Sequence, residues 1–248
     1  MLLIVLLGLL NVGENSPPDS NGNLDNRNIR QALDLEVRQY LWWFGYIGGL
    51  SDKVSREKIA AEATTYDVQT ALLRFQKSFL IYRSGMIDVP TQAKLSEYRC
   101  GNKDMHYGEN LQDLSWPELW QKKVLLWNIT SYPISLTKGQ VREVCDEAFE
   151  RWRKVTDFQF IEIGDSMRAD IVISFGNIPD SNLNGIYCYQ GNSLFHTLLH
   201  EIGHTLGLHH TFYRGSIMYP ILRPSLASYG NLDDIPSVDK LAIRKLYG

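Results

Sequence analysis

His200, Glu201, His204 and His210 are the residues of this chain best suited to chemistry. They stand in the run His200-Glu201-Ile202-Gly203-His204-Thr205-Leu206-Gly207-Leu208-His209-His210. Residues four apart on a helix share one face, so His200 and His204 can address the same ion. Glu201 adjoins the first of them, where a carboxylate can handle a water proton without itself being a ligand. Gly207 lets the chain leave the helix sharply, because glycine adopts backbone angles closed to other residues. That turn brings His210 round as a third ligand. Three imidazoles leave one position of a tetrahedral zinc ion open, which marks a catalytic rather than a structural site. His209 has the wrong spacing and reads as a neighbour of the site.

The pattern H-E-x-x-H-x-x-G-x-x-H is far more specific than its first five positions alone. Ser216-Ile217-Met218-Tyr219-Pro220 follows closely and places a methionine where it would lie beneath the ligands. The combination is the metzincin signature.

A site of this kind needs a helix for its first two histidines and a packed scaffold around it. The chain has 248 residues and a net charge of −3, enough for one or two domains with a real core. The near-neutral charge points to neither nucleic acid nor an anionic membrane as partner. Leu2 to Leu10 is an apolar run too short to span a bilayer. It fits the core of a signal peptide over residues 1–13, although no basic residue precedes it; a buried hydrophobic N-terminus is the other reading. Residues 14–28 are rich in Asn, Asp, Ser and Pro and read as a disordered linker. From about Ile29 to Tyr98 the pattern is helical. Leu33, Leu35, Val37, Leu41 and Trp42 give the apolar side of a first helix, and Val68, Leu72, Leu73, Phe75 and Phe79 that of a second. Ser84-Gly85 marks a turn, and a third short helix is predicted from Pro90 or Thr91. Arg99 to about Lys123 is polar and irregular and holds the domain boundary.

Beyond it the periodicity changes. Val124–Ile129, Phe158–Ile163 and Asp170–Phe175 are strand candidates. Thr137-Lys138-Gly139-Gln140 has the form of a capping box opening a helix to about Lys154. The histidine helix should begin near Asn192 or Ser193, and a last helix should run from Ser237 to about Tyr247. This mixed order indicates an α+β domain, a twisted mixed sheet with three helices packed on it. Val141, Cys145, Ala148 and Trp152 share one helical stripe, so Cys145 should be buried. It is either an inert core thiol or the partner of Cys188, and spacing alone does not decide. Asn128-Ile129-Thr130 is a glycosylation sequon, relevant only to a secreted chain.

The chain resembles the matrix metalloproteinases, or matrixins, over nearly all of its length after the N-terminal segment. The resemblance rests on His200–His204, on Met218-Tyr219-Pro220, on Leu246-Tyr247-Gly248, and on Phe75-Gln76-Lys77 with Ser84-Gly85-Met86-Ile87-Asp88. Thr211, directly after His210, sets the chain apart from the astacin pattern. The resemblance implies a three-helix, peptidoglycan-binding-like pro-domain over 29–104, an activation segment over 105–119 and a zinc protease domain over 120–248. The sequence ends where a matrixin catalytic domain ends, so the minimal form without a hemopexin-like domain is expected. Tyr98-Arg99-Cys100-Gly101-Asn102-Lys103-Asp104 is similar to the family's cysteine-switch segment. By that likeness Cys100 is a fourth zinc ligand of the zymogen, with Arg99 and Asp104 as an ion pair bracing the loop. The alternative is a surface thiol awaiting an intermolecular partner. Both prolines of the family segment are replaced, by Tyr98 and Lys103.

The implied activity is zinc-dependent hydrolysis of peptide bonds in extracellular matrix proteins, with Glu201 as the base. The chain would act as a secreted monomer, made as a zymogen and switched on by another protease or by autolysis. The family's second, structural zinc is not expected, because no histidine lies between Phe175 and Phe195, and calcium is doubtful there for want of carboxylates. The stretch 176–193 is shorter than the family's, which leaves 185–189 as the candidate edge strand for substrate. That shortening motivates the alternative reading, a non-catalytic zinc-binding protein that acts through a partner. By the same resemblance His196 stands where the family gates its S1′ pocket, with Pro220 in the pocket wall. A buried histidine with no substrate role is the other reading of His196.

Overall fold

The computed structural model describes residues 2–6, 26–47, 65–97, 99–104, 119–134, 136–164, 167–175, 194–221 and 234–248. The chain divides into two compact units. One comprises Met1–Leu10, Tyr98–Gly101 and Ser115–Gly248; the other comprises Asn11–Glu97 and Asn102–Leu114.

The second unit is helical, with α1 over Asn26–Trp43, α2 over Thr65–Ser78 and α3 over Val89–Leu95. Helix α1 starts inside the stretch expected as linker. Its first turn is polar, so periodicity could not reveal it. Val37, Leu41 and Phe44 keep the i, i+4, i+7 spacing and are buried, whereas Leu35 falls off that stripe and is exposed. Phe75 is fully buried between the rings of Tyr40 and Tyr46, both edge-on to it. Asp88 caps α3 by accepting the Thr91 amide at 3.0 Å. Buried Gln76 ties the following turn together. Its amide donates to Ser84 Oγ, the Met86 carbonyl and Thr91 Oγ1, and its carbonyl accepts from Gly85 N–H. Gly85 has φ +67°, a conformation that favours glycine. The polar segment from Ser84 to Asp88 is thus a hydrogen-bonded turn.

The first unit carries a four-stranded sheet in the order β1-β4-β2-β3, from β1 (Leu2–Leu6), β2 (Val124–Ile129), β3 (Gln159–Glu162) and β4 (Ile171–Phe175). Every strand pairing among the described residues is parallel. An antiparallel member would have to come from elsewhere, and the candidate 185–189 lies outside the described residues. The apolar run expected as a signal core forms the edge strand on β4, Leu2 opposite Ile171 and Leu6 opposite Phe175. Its Leu-Leu-Ile-Val-Leu sequence suits a strand, and the edge of β4 offers unpaired backbone groups.

Among the described residues three helices belong to this unit: α4 (Lys138–Arg153), α5 (Leu194–Thr205) and α6 (Ser237–Tyr247). The capping box at Thr137 and Gln140 is formed in both directions. Val141, Cys145, Ala148 and Trp152 are all fully buried, with Leu125, Trp127, Ile129, Ile171 and Ile173 from the strands in the same cluster. Each large apolar side chain buried this way contributes about 1.5–3 kcal/mol. The buried Trp152 indole donates to the Leu199 carbonyl at 3.0 Å, which fixes α5 against α4.

Candidate metal centre

Helix α5 presents His200 and His204 on one face, as their spacing predicts. Gly207 has φ +91°, and the chain turns there so that His210 comes back toward the helix. The ring nitrogens converge: His200 Nε2 lies 3.1 Å from His204 Nε2 and 3.3 Å from His210 Nε2. Cys100 Sγ lies 3.5 Å from His204 Nε2. These four residues form one group whose donor atoms all lie within 4.8 Å of one another. His209 is not in it.

The protons show what this cluster fits. His200 Nδ1–H donates to the Ile217 carbonyl at 2.7 Å, and His204 Nδ1–H donates to the Leu208 carbonyl at 2.8 Å. A carbonyl cannot donate, so each Nδ1 carries a proton, and a neutral ring keeps the lone pair on Nε2. Burial, then the neighbouring His200 and His210, holds His204 well below the usual histidine range and therefore neutral. Lone pairs facing each other at 3.1 Å repel unless a cation lies between them. With zinc–nitrogen bonds of ~2.05 Å and a zinc–sulfur bond of ~2.3 Å, a tetrahedron has edges of roughly 3.3 and 3.6 Å. The three short separations, 3.1, 3.3 and 3.5 Å, are close to those edges, so the donor set fits a zinc ion in type and spacing.

Glu201 is buried beside this group, with Oε1 3.8 Å from His200 Nε2. That oxygen has no hydrogen-bond partner among the described residues. Burial pushes the carboxyl up to about 8, against the opposing pull of the Cys100 thiol hydrogen-bonded to it.

The methionine turn supports the ligands from below. A Cβ on Gly203 would fall 2.5 Å from Met218 Sδ, so the sulfur packs directly on the helix beside His204. Ser216 Oγ donates to Asp239 Oδ1 at 2.5 Å and Ile217 N–H to Asp239 Oδ2 at 2.9 Å, while the Ile217 carbonyl holds His200. A line of hydrogen bonds therefore runs from α6 through the turn to a ligand ring. Burial raises the Asp239 carboxyl above its ordinary value. Sequence reasoning missed Asp239. In the first turn of α6 it looks like a residue that merely complements the helix end.

Cys100 is fully buried, and its backbone N–H donates to the Pro220 carbonyl at 2.8 Å. Arg99 forms an antiparallel bridge with Ile221, and its Nε donates to the Cys100 carbonyl at 3.2 Å. Asp104 accepts from the Tyr46 hydroxyl at 2.7 Å. His196 is buried one turn before His200, outside the donor group, and burial pushes it down to about 4. Cys145 is a buried thiol pushed up to about 12 by burial and then by Asp146 and Glu162. Its possible partner Cys188 lies outside the described residues, as do Tyr98 and most of the activation segment. Among the described residues no helix is long and apolar enough to cross a membrane.

A His-rich metal site with an adjacent buried carboxylate, on an α+β domain, defines a class of zinc hydrolase scaffolds. The matrixin family model matches residues 119–186 and 180–248. This chain belongs to the matrixin family. It is 28% identical to matrix metalloproteinase-C of Caenorhabditis elegans, over 87% of this chain and 43% of that protein. It is 29% identical to matrix metalloproteinase-18 of Xenopus laevis, over 86% of this chain and 49% of that one. Metalloendoproteinase 1-MMP of Arabidopsis thaliana is 25% identical over 86% of this chain and 68% of its own length. The chain thus spans less than half the length of the two animal relatives.

Proposed function

We propose that this chain is a zinc-dependent endopeptidase held latent as a zymogen. The reading is carried by one observation: ring nitrogens of three histidines and one thiol sulfur converge within 4.8 Å beside a buried glutamate. His200, His204 and His210 would hold a zinc ion, with Cys100 as a further ligand. A zinc ion there supplies Lewis acidity, which makes water a nucleophile near neutral pH and polarises a scissile carbonyl. Glu201 carries the proton traffic. Its carboxylate would take a proton from the attacking water and yield it to the departing amine. Cys100 occupies the place that water needs. Its segment pairs backbone to backbone along Pro220 and Ile221, as an extended peptide would, and Arg99 and Asp104 stiffen it. Met218 is a packed base beneath the ligands, and His196 with Pro220 borders the pocket that selects the substrate side chain. The substrates are extracellular proteins of the matrix class, cut by a secreted chain after another protease removes the switch.

Purified full chain is expected to hold one zinc and to be silent toward a fluorogenic peptide library. Treatment with an organomercurial, which captures the thiol, should switch hydrolysis on. An E201A chain that hydrolysed peptides as fast as the parent after the same treatment would overturn the reading.

A further inference from the structure

The C-terminal end of α5 carries carbonyls that its own backbone no longer satisfies, as every helix end does. Here two of them are taken by side chains from distant parts of the chain. Trp120 Nε1–H donates to the Thr205 carbonyl at 2.8 Å, and the Tyr247 hydroxyl donates to the Leu206 carbonyl at 3.1 Å. The same hydroxyl oxygen accepts the Trp120 backbone N–H at 3.4 Å, so the two residues form one clasp. Tyr247 is itself held: its ring packs edge-on against Phe158 at 4.8 Å between centroids, and Lys123 lies over it at 5.9 Å. Thr205 directly follows His204, and Leu206 directly precedes the Gly207 turn on which His210 returns. Both clasped carbonyls thus lie in the short stretch that sets the angle between the last two donor rings. The Leu208 carbonyl that fixes the His204 ring lies just beyond.

We infer that Trp120 and Tyr247 are positioning residues of the metal centre, a side-chain clasp that sets the distance between His204 and His210. The inference rests on the proposed zinc site. Neither residue touches the donor atoms, and each acts through the backbone that carries them. A second consequence concerns processing. Cleavage anywhere in the activation segment before Trp120 leaves the clasp on the zinc-binding unit, whereas cleavage after Trp120 removes half of it.

The test uses the full chain and the variants W120F and Y247F. Phenylalanine at 247 keeps the ring stack on Phe158 and deletes only the hydroxyl. Zinc affinity is measured by competition with a chromogenic chelator, and the cobalt-loaded chain supplies a visible spectrum that reports ligand geometry. Melting of the metal-free chains measures the purely structural effect. The expected result is an about 10- to 100-fold weaker zinc affinity with a displaced cobalt spectrum, the loss typical when a supporting partner of a ligand is removed. Metal-free Y247F should melt within a few degrees of the parent. If the parent binds zinc and both variants match it in affinity and cobalt spectrum, the clasp is overturned while the zinc site stands. If the parent takes up no zinc, the proposed site itself has failed.

Discussion

At the residue scale, the central fact is protonation. Two backbone carbonyls place protons on the Nδ1 atoms of His200 and His204, so in the neutral rings the Nε2 lone pairs face each other. His200→Ala or His204→Ala should therefore abolish tight zinc binding, read by metal analysis after dialysis. Glu201→Gln should keep the metal and lose activity by about 10²- to 10⁴-fold, the usual contribution of a general acid–base group. His196 gives a prediction about pH. Burial lowers it from an ordinary 6.5 to about 4. Between those values the unfolded chain binds a proton that the folded chain does not, so stability rises with pH across that window. Acidification from pH 6.5 toward 4 should weaken the fold, and His196→Leu should flatten that part of the melting-temperature profile. An unchanged slope in the variant would show that burial of His196 has no such cost.

At the element scale, the histidine helix is held by what packs on it. A methyl group on Gly203 would press on Met218 Sδ at 2.5 Å and on Trp152 Cζ2 at 3.2 Å, both in the core. Overpacking of about 1–3 kcal/mol opposes a helix-propensity gain of about 1 kcal/mol. Gly203→Ala is expected to lower the melting temperature, and an increase would place the methionine turn elsewhere. Asp239→Ala should cost about 1–3 kcal/mol, because it strands buried donors of Ser216 and Ile217. Local signals made many of these elements legible. The capping box at Thr137, the run Val124–Ile129 and the helix Ser237–Tyr247 all appear where periodicity and punctuation predict them. Not legible were features whose partners lie far along the chain. Asp239 meets a turn more than twenty residues before it, and Trp120 meets a helix end 85 residues on. The strand at Leu2–Leu6 was hidden for a similar reason, since an apolar run reads alike as signal core or strand until a sheet edge is present to receive it.

At the scale of the whole molecule, the proposed function has the chain carry its own inhibitor. The fourth donor comes from Cys100, a hundred residues before His200, the first of the histidines. The convergence of the three histidines was readable from spacing and the nearness of Cys100 to them from resemblance. The backbone pairing of the Cys100 segment with Pro220 and Ile221 was not. A Cys100→Ser chain should hydrolyse peptide without any mercurial, and persistent latency would shift the inhibition to other parts of the pro-segment. The most direct test of the account is X-ray absorption at the zinc edge of the intact, zinc-loaded chain. The account predicts one zinc per chain with three nitrogens near ~2.0 Å and one sulfur near ~2.3 Å, the sulfur vanishing in Cys100→Ser. A chain that stays metal-free, or a shell made of oxygens without those nitrogens, would contradict it.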